Sequence, residues 1–179
     1  MKRARIGLLT GPVGVGKTTV AERVAGSAHR RGLVCGGLLA PAMMNGCRQK
    51  AGIWGHDLLT GQRQILARTD RDLGGPAVGS YSFDTEALDW ATGVVERAIG
   101  HCDLLIVDEI GKLELWRNAG LAPILPRLAA GEAGRSLVLI RDFLLGELQE
   151  RLGAVEQIPF EVREGNRGEL PRQILERLL

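Results

Sequence analysis

A glycine-rich segment near the start of the chain constrains the fold more than any other feature. Residues 11–18, GPVGVGKT, match the pattern GxxxxGK[ST]. The aliphatic residues 6–10 before it predict a short buried strand. Residues 16–31 after it predict a helix, because small and aliphatic side chains recur at helical spacing from Val20 onward. A strand, a glycine-rich turn and a helix in this order form the setting in which such a motif binds phosphate.

The residue types of this segment suit a nucleoside triphosphate. Glycines let successive backbone N–H groups point inward around a phosphate at the start of a helix. Lys17 would reach the β- and γ-phosphates, and the Thr18 hydroxyl would ligate magnesium. The alternative is a glycine-rich turn that binds nothing. The predicted nucleotide-binding residues of this segment are Gly11, Pro12, Val13, Gly14, Val15, Gly16, Lys17, Thr18 and Thr19.

A second segment, in the middle of the chain, ends in two carboxylates. Residues 103–107 are apolar on both faces, as expected of a central parallel strand, and Asp108 and Glu109 follow it. We expect Asp108 to hold Mg²⁺ together with Thr18, and Glu109 to polarise the attacking water, with Lys17 as the second catalytic residue. The alternative is two solvated acids at a strand end. The other predicted nucleotide-binding residues here are Leu104, Leu105, Ile106, Val107, Ile110 and Gly111.

The rest of the chain alternates strand-like and helix-like segments, which predicts an α/β fold with a largely parallel sheet. Residues 41–68 differ, because glycines divide them into short β-like pieces that predict a hairpin or meander inserted beside that sheet. No repeat or linker appears, so residues 1–179 are expected to form one domain. The further predicted strands are residues 33–39, 52–56, 62–66, 78–83, 136–140 and 155–160, and the further predicted helices are residues 85–99, 121–130, 144–152 and 170–178.

Composition excludes several classes of protein. A net charge of +2 over 179 residues gives no dedicated nucleic-acid surface. The start MKRAR is basic, but the apolar run behind it is too short for a signal peptide, and no run approaches the length of a membrane helix. The three cysteines form no CxxC pair. We therefore expect a cytoplasmic protein without membrane contact. The sequence does not indicate a protein partner.

The string DEIGKLEL at residues 108–115, taken with the glycine-rich loop, resembles the small P-loop nucleoside-triphosphatase family. That family includes the human cancer-related nucleoside-triphosphatase and archaeal and bacterial relatives. The resemblance implies a RecA-like three-layer α/β/α fold and Mg²⁺-dependent hydrolysis of ATP, GTP and other triphosphates. The chain departs from the family at residues 42–46, where relatives carry an acidic and arginine-containing segment. It departs again at Arg141-Asp142, where relatives tend to have Thr or His.

Base recognition has a weaker signal. Asp108 and Gly111 match the DxxG of switch GTPases, but the guanine-reading NKxD is absent, which favours loose base selectivity. Asn166 and Arg167 follow the last predicted strand, where P-loop folds often hold the base, and are predicted to bind nucleotide.

Each of the other charged residues has two alternative roles. Arg141, Arg151 and Arg167 are candidate arginine fingers or surface residues. Lys112 and Glu114 either fix the loop after Glu109 or are exposed charges.

The sequence leaves two other functions open. A nucleoside or nucleotide kinase would share the front site but needs an acceptor pocket and a lid with arginines. A nucleotide-binding accessory protein would have only incidental turnover.

Overall fold

The computed structural model describes residues 4–179, so the first three residues of the basic N-terminal segment lie outside the described residues. The strands are β1 (Arg5–Thr10), β2 (Cys35–Leu39), β3 (Ala42–Met44), β4 (Lys50–Asp57), β5 (Arg63–Arg68), β6 (Ala77–Val78), β7 (Tyr81–Phe83), β8 (Leu104–Ile110), β9 (Arg135–Ile140) and β10 (Glu156–Glu161). The helices are α1 (Lys17–Arg30), α2 (Thr85–Ala98), α3 (Lys112–Arg117), α4 (Ile124–Ala129), α5 (Leu145–Leu152) and α6 (Leu170–Leu178), with a 3₁₀ turn at Asp142–Leu144 before α5.

One mixed sheet runs through the structure. Its parallel half has the order β10-β1-β9-β8-β2, which places β1 and β8 on either side of β9. The sheet then continues with the antiparallel strands β4, β5, β7 and β6, and β3 pairs with the outer part of β4. The predicted meander is present, but it extends the parallel sheet edge to edge instead of lying beside it, because Leu38 and Leu39 of β2 pair with β4.

Helices cover both faces of this sheet. Leu104 and Ile106 of β8 pack with α1 and α6, whereas Leu105 and Val107 pack with α2, α4 and α5. Alternate residues of the strand therefore enter opposite apolar layers, and all four are fully buried. The three-layer α/β/α architecture predicted from the sequence is confirmed. No helix among residues 4–179 combines the length and apolarity that crossing a membrane requires.

The central strand is longer than the sequence predicts. We expected it to end at Val107, before the two acids, but β8 continues to Ile110. Ile110 is fully buried and pairs with Ile140 of β9 after a register shift that begins at Val107. The two acids therefore lie within an irregular part of the strand and not beyond it.

Two short elements were not predicted, the predicted strand 78–83 is a hairpin of the two short strands β6 and β7, and several ends differ by a few residues. Helix α3 begins directly after Gly111, and β3 lies in the segment where the chain departs from the family pattern. Both elements are short, and β3 forms by pairing with the next strand, as between Met43 and Gly52. Sequence periodicity has too few residues there to be read.

Candidate active site

The glycine-rich loop connects β1 to α1 as predicted. Gly11 and Gly16 have φ angles of 145° and 98°, which side-chain-bearing residues rarely adopt. A Cβ at Gly11 would also come within 2.9 Å of the Val162 carbonyl oxygen. Gly16 precedes the first helical residue, and no side chain of the described part of the chain caps this end of α1. Uncapped amides at a helix N-terminus can bind an anion.

The other loop residues surround this helix start. Gly11 is buried, Pro12, Val13 and Gly14 are exposed, Val15 is partly buried, and Thr19 is exposed on the first turn of α1.

Lys17 folds back across this loop. Its Nζ donates to the carbonyl oxygens of Gly11, at 2.8 Å, and Pro12, at 3.2 Å. Burial lowers the pKa of Lys17, an effect opposed chiefly by the negative charge of Glu109. The ammonium group is therefore held beside the loop and within the electrostatic influence of the carboxylates near the end of β8.

Asp108 points into the protein toward the start of α1. It is 3% exposed and accepts a hydrogen bond of 3.0 Å from the Ala40 amide. The Thr18 side chain also interacts with its carboxylate and favours the charged form. Burial raises the pKa of Asp108 to about 7, because these interactions and Lys17 only partly offset the cost of removing a carboxylate from water. A buried carboxylate and a hydroxyl thus meet at one point.

Glu109 points elsewhere. The peptide bond that joins it to Asp108 is cis. Its side chain is 35% exposed, and its Oε1 accepts a hydrogen bond of 2.6 Å from Arg141 Nε. Arg141 follows β9, the neighbour of β8, and its charge also reaches Lys17. One acid therefore faces the helix start, while the other remains accessible and is paired with an arginine.

Asn166 and Arg167 lie in the loop between β10 and α6. Asn166 shapes that loop, since its Oδ1 accepts from the Arg163 amide and its Nδ2 donates to the Glu161 carbonyl, both at 2.8 Å. The Arg167 side chain passes Gly16, where its Cδ lies 3.3 Å from the point a Cβ would occupy. The structure thus brings Arg167 to the end of the glycine-rich loop.

These features can be set beside known proteins. The family model described as NTPase matches residues 6–175. This chain belongs to the NTPase family. A nucleoside-triphosphatase named THEP1 from Methanopyrus kandleri is 35% identical over 176 residues, covering 96% of this chain and 94% of that protein. THEP1 from Thermofilum pendens is 31% identical over 168 residues, covering 93% and 91%.

A solved structure supports the fold. The crystal structure of THEP1 from the hyperthermophile Aquifex aeolicus matches with a TM-score of 0.75 and 23% identity, over 97% of this chain and 98% of that one. The P-loop NTPase fold is therefore confirmed. Membership of the NTPase family also confirms the resemblance that DEIGKLEL carries and the predicted enzyme class.

In this member of the NTPase family, Glu114 is not an exposed charge. It is 6% exposed, and its two oxygens accept from the amides of Gly111, at 2.9 Å, and Leu121, at 3.3 Å. Burial raises its pKa. Of the two readings that the sequence leaves open, the structure favours a residue that fixes the loop after Glu109. The amide of Gly111, the glycine of the DxxG match, therefore donates to this carboxylate.

The remaining charged candidates lie around this loop. Lys112 Nζ lies over the exposed ring of Trp116, 5.0 Å from its centroid, and 5.5 Å from the centroid of Phe143. Arg151 bonds to Glu147 and to the Leu115 carbonyl on the far side of α3. Of the three candidate arginine fingers, Arg141 and Arg167 lie beside the residues predicted to bind phosphate.

The buried part of β8 holds these groups in place. Leu104, Leu105, Ile106, Val107 and Ile110, all predicted to bind nucleotide, have no exposed surface. Their side chains pack within the two apolar layers. Their contribution to the site is to fix the positions of the two acids.

Two openings flank the acids and the glycine-rich loop, and sequence reasoning missed both. A cleft of about 430 Å³ lies between residues 12–15 and residues 161–164. A cavity of about 300 Å³ lies on the other side, between Asp108, Glu109 and Arg141 and the antiparallel half of the sheet. The sequence has no local signal for the second opening, because it depends on how β5 and β7 continue the parallel sheet.

Proposed function

We propose that this chain hydrolyses nucleoside triphosphates, including ATP and GTP, to the diphosphate and phosphate, with Mg²⁺ and with loose base selectivity. The proposal covers a single domain of residues 1–179. The proposal rests on the contact between two motifs that are distant in sequence, the glycine-rich loop and the acids of β8. The Thr18 side chain at the end of the glycine-rich loop interacts with the buried Asp108, and Glu109 lies beside it with part of its side chain accessible.

Thr18 and Asp108 suit a magnesium ion. Mg²⁺ prefers oxygen ligands and usually keeps several waters while it contacts one or two protein groups and substrate phosphates. A buried carboxylate whose pKa is raised to about 7 lacks enough positive charge nearby, and a divalent cation would supply it. When bound, Mg²⁺ would neutralise charge on the β- and γ-phosphates.

The loop and Lys17 would hold the phosphates. The uncapped amides at the start of α1 and the glycines before them provide donors for the phosphate oxygens. Lys17 Nζ, now bonded to the loop carbonyls, would exchange those neutral acceptors for charged phosphate oxygens. In the transition state this cation would oppose the negative charge on the leaving diphosphate.

Glu109 would act on the attacking water as a general base. Its carboxylate is partly exposed, so water can reach it, and Arg141 fixes one of its two oxygens. The other oxygen, Oε2, is free of the Arg141 hydrogen bond and would accept the water proton. Arg141 is a positioning residue in this scheme, since it acts through Glu109.

Asn166 and Arg167 would lie toward the base. They belong to the loop that forms one wall of the cleft beside the glycine-rich loop, and Arg163 and Glu164 line that wall. The side-chain hydrogen bonds of Asn166 are to backbone groups of this loop and its strand, the Arg163 amide and the Glu161 carbonyl. We expect ATP and GTP to be hydrolysed within about tenfold of each other, because phosphate contacts do not depend on the base.

The substitution Glu109→Gln tests the proposal. The amide keeps the shape of the side chain and removes the charge that draws the proton, so phosphate release should fall by at least about 100-fold. Affinity for the triphosphate should survive, because Lys17, Thr18 and Asp108 are unchanged. Glu96→Gln is the matched control, since Glu96 is exposed on α2.

Both quantities are measured on the same preparations, phosphate release over time and equilibrium binding of a non-hydrolysable analogue. A fall in hydrolysis of less than about fivefold with affinity intact would remove Glu109 from the mechanism. Loss of affinity alone would place Glu109 in binding instead.

A further inference from the structure

The cavity beside Glu109 is not used by hydrolysis. Its volume is about 300 Å³, far more than a water molecule needs. Its walls are mainly apolar and come from the antiparallel half of the sheet and from α2, with Ile53, Leu66, Phe83 and Leu88 among them. Protein interiors contain few voids larger than a water molecule. An apolar cavity of this size at a catalytic carboxylate has the form of a small-molecule site.

The polar end of the cavity is shared with the proposed catalytic site. Asp108, Glu109 and Arg141 line it, whereas no residue of the glycine-rich loop does. The same Asp108 interacts with Thr18, and the charges of the same Glu109 and Arg141 act on Lys17. A molecule in the cavity would therefore meet the γ-phosphate at Glu109 without competing with the nucleotide for the loop.

The rim and one wall indicate what the cavity would accept. Tyr81 and Phe83 lie on one wall, with ring centroids 6.5 Å apart and ring planes inclined at 52°. Aromatic side chains in tilted arrangements of this kind pack well against another ring. Ser80, at the tip of the β6–β7 hairpin, is exposed and lines the cavity at its solvent side. The opposite, charged end suits one hydroxyl group and not a large anion, since three of the five charged residues that line the cavity are acids.

We propose that this cavity binds a ring-bearing organic alcohol and that the γ-phosphoryl group of the nucleotide is transferred to its hydroxyl. The inference rests on the proposed function in one respect, that the triphosphate lies on the glycine-rich loop. The acceptor oxygen forms a bond to the γ-phosphorus as the bond from that phosphorus to the β,γ-bridging oxygen breaks. The electron pair of the broken bond leaves with the nucleoside diphosphate, and the hydroxyl proton passes to Glu109. Water takes the acceptor's place when the cavity is empty.

Radiolabelled transfer tests this directly. The protein is incubated with Mg²⁺ and ATP labelled at the γ-phosphate, together with thymidine, adenosine or 2-phenylethanol, and with glycerol as an alcohol without a ring. At least one ring-bearing alcohol should give a labelled phosphate ester at about tenfold or more above glycerol at equal concentration. No labelled ester above the glycerol level from any of the three would overturn the inference.

A matched pair of variants links transfer to this cavity. Ser80→Trp places a large ring at the rim and should lower the ratio of ester to free phosphate by about tenfold or more. Ala77→Trp puts the same ring on the same hairpin at an exposed residue that does not line the cavity, and should leave both products unchanged. An unchanged ratio in Ser80→Trp would place the acceptor elsewhere and overturn the assignment of this cavity.

The two proposals fail in different ways. Phosphate release without any alcohol, but no ester with the three probes, removes the acceptor site and leaves hydrolysis standing. Ester formation without phosphate release in the absence of alcohol removes hydrolysis as the function and leaves the acceptor site standing. Absence of both products removes both.

Discussion

Arg141 Nε donates a hydrogen bond of 2.6 Å to Glu109 Oε1. The two residues are brought together by the sheet, because Ile110 and Ile140, their direct neighbours, are paired across β8 and β9. About a third of each side chain is exposed, at 36% for Arg141 and 35% for Glu109. Exposed pairs of this kind add little to stability, at most about 1 kcal/mol. The value of this contact is therefore in orienting Glu109.

Replacing Arg141 separates orientation from stability. Arg141→Ala should lower the rate of phosphate release by at least about tenfold, because Glu109 loses its fixed direction. The free energy of unfolding should change by less than about 1 kcal/mol. Arg151→Ala is the matched control, since Arg151 bonds to Glu147 on α5 and lies away from the acids.

Arg141→Lys adds a further readout, because it keeps the charge and loses the planar guanidinium. We expect it to restore part of the rate and to leave the KM for the triphosphate near that of Arg141→Ala. Equal rates in wild-type protein and Arg141→Ala would show that the contact has no part in turnover. Steady-state phosphate release and thermal unfolding provide the two measurements.

The glycine-rich loop and the two acids could be predicted because their signals are local. The loop follows its strand and opens its helix within a few residues, and the acids directly follow a run of apolar residues. The continuation of β8 to Ile110 could not, since it depends on pairing with Ile140 about thirty residues later. The direction of each acid depends on the same pairing.

The burial of Glu114 could not be predicted from the sequence either. Its residue type gives no sign of burial, and charged residues are rarely buried without partners. The partners are the amides of Gly111 and Leu121, the second of which belongs to the loop before α4. The cavity likewise depends on how β5 and β7 continue the parallel sheet, which no local pattern in the sequence records.

Replacing Lys17 tests whether the glycine-rich loop binds phosphate. Lys17→Ala should abolish phosphate release and weaken triphosphate binding, because it removes the cation that faces the β- and γ-phosphates. Folding should be little affected, since within residues 4–179 the hydrogen bonds of Nζ go to the Gly11 and Pro12 carbonyls of its own loop. Lys50→Ala, at an exposed position on β4, is the control and should behave as wild type. Wild-type turnover in Lys17→Ala would exclude the loop from the chemistry.

Replacing Glu114 tests whether its hydrogen bonds hold the loop after Glu109. Glu114→Gln keeps the size of the side chain but turns one acceptor into a donor that faces a backbone N–H. One of the Gly111 and Leu121 amides is then left without its acceptor, which costs about 1–3 kcal/mol in a buried setting. Chemical denaturation measures the loss, with Glu150→Gln as the exposed control. A stability equal to that of the control would mean that the two hydrogen bonds do not hold the loop.

Asp108 gives the metal-free protein a characteristic pH dependence. Its pKa rises from an ordinary value of 3.8 to about 7 in the folded protein, mainly through burial. Between those two values the native carboxyl group holds a proton that the unfolded chain has released. The native state thus binds more protons, so the free energy of unfolding falls as the pH rises through this interval, and this contribution levels off above it. At neutral pH and above, the ionised group weakens the fold until a cation binds.

Asp108→Asn should remove this dependence. Asparagine is close in size and uncharged at every pH, so the variant in EDTA should lose less stability than wild type between about pH 4 and pH 8. Chemical denaturation at a series of pH values gives the difference between the two slopes, in which all other titrating groups cancel.

Mg²⁺ with a non-hydrolysable triphosphate should stabilise wild type more at about pH 8 than at about pH 5.5, because the carboxylate must lose its proton to bind the ion. In Asp108→Asn that stabilisation should be smaller and should depend less on pH than in wild type, with the ionisation of the triphosphate common to both proteins. Parallel slopes for the two metal-free proteins would mean that Asp108 is ionised in both states, and the account of a buried carboxylate that awaits a cation would be wrong.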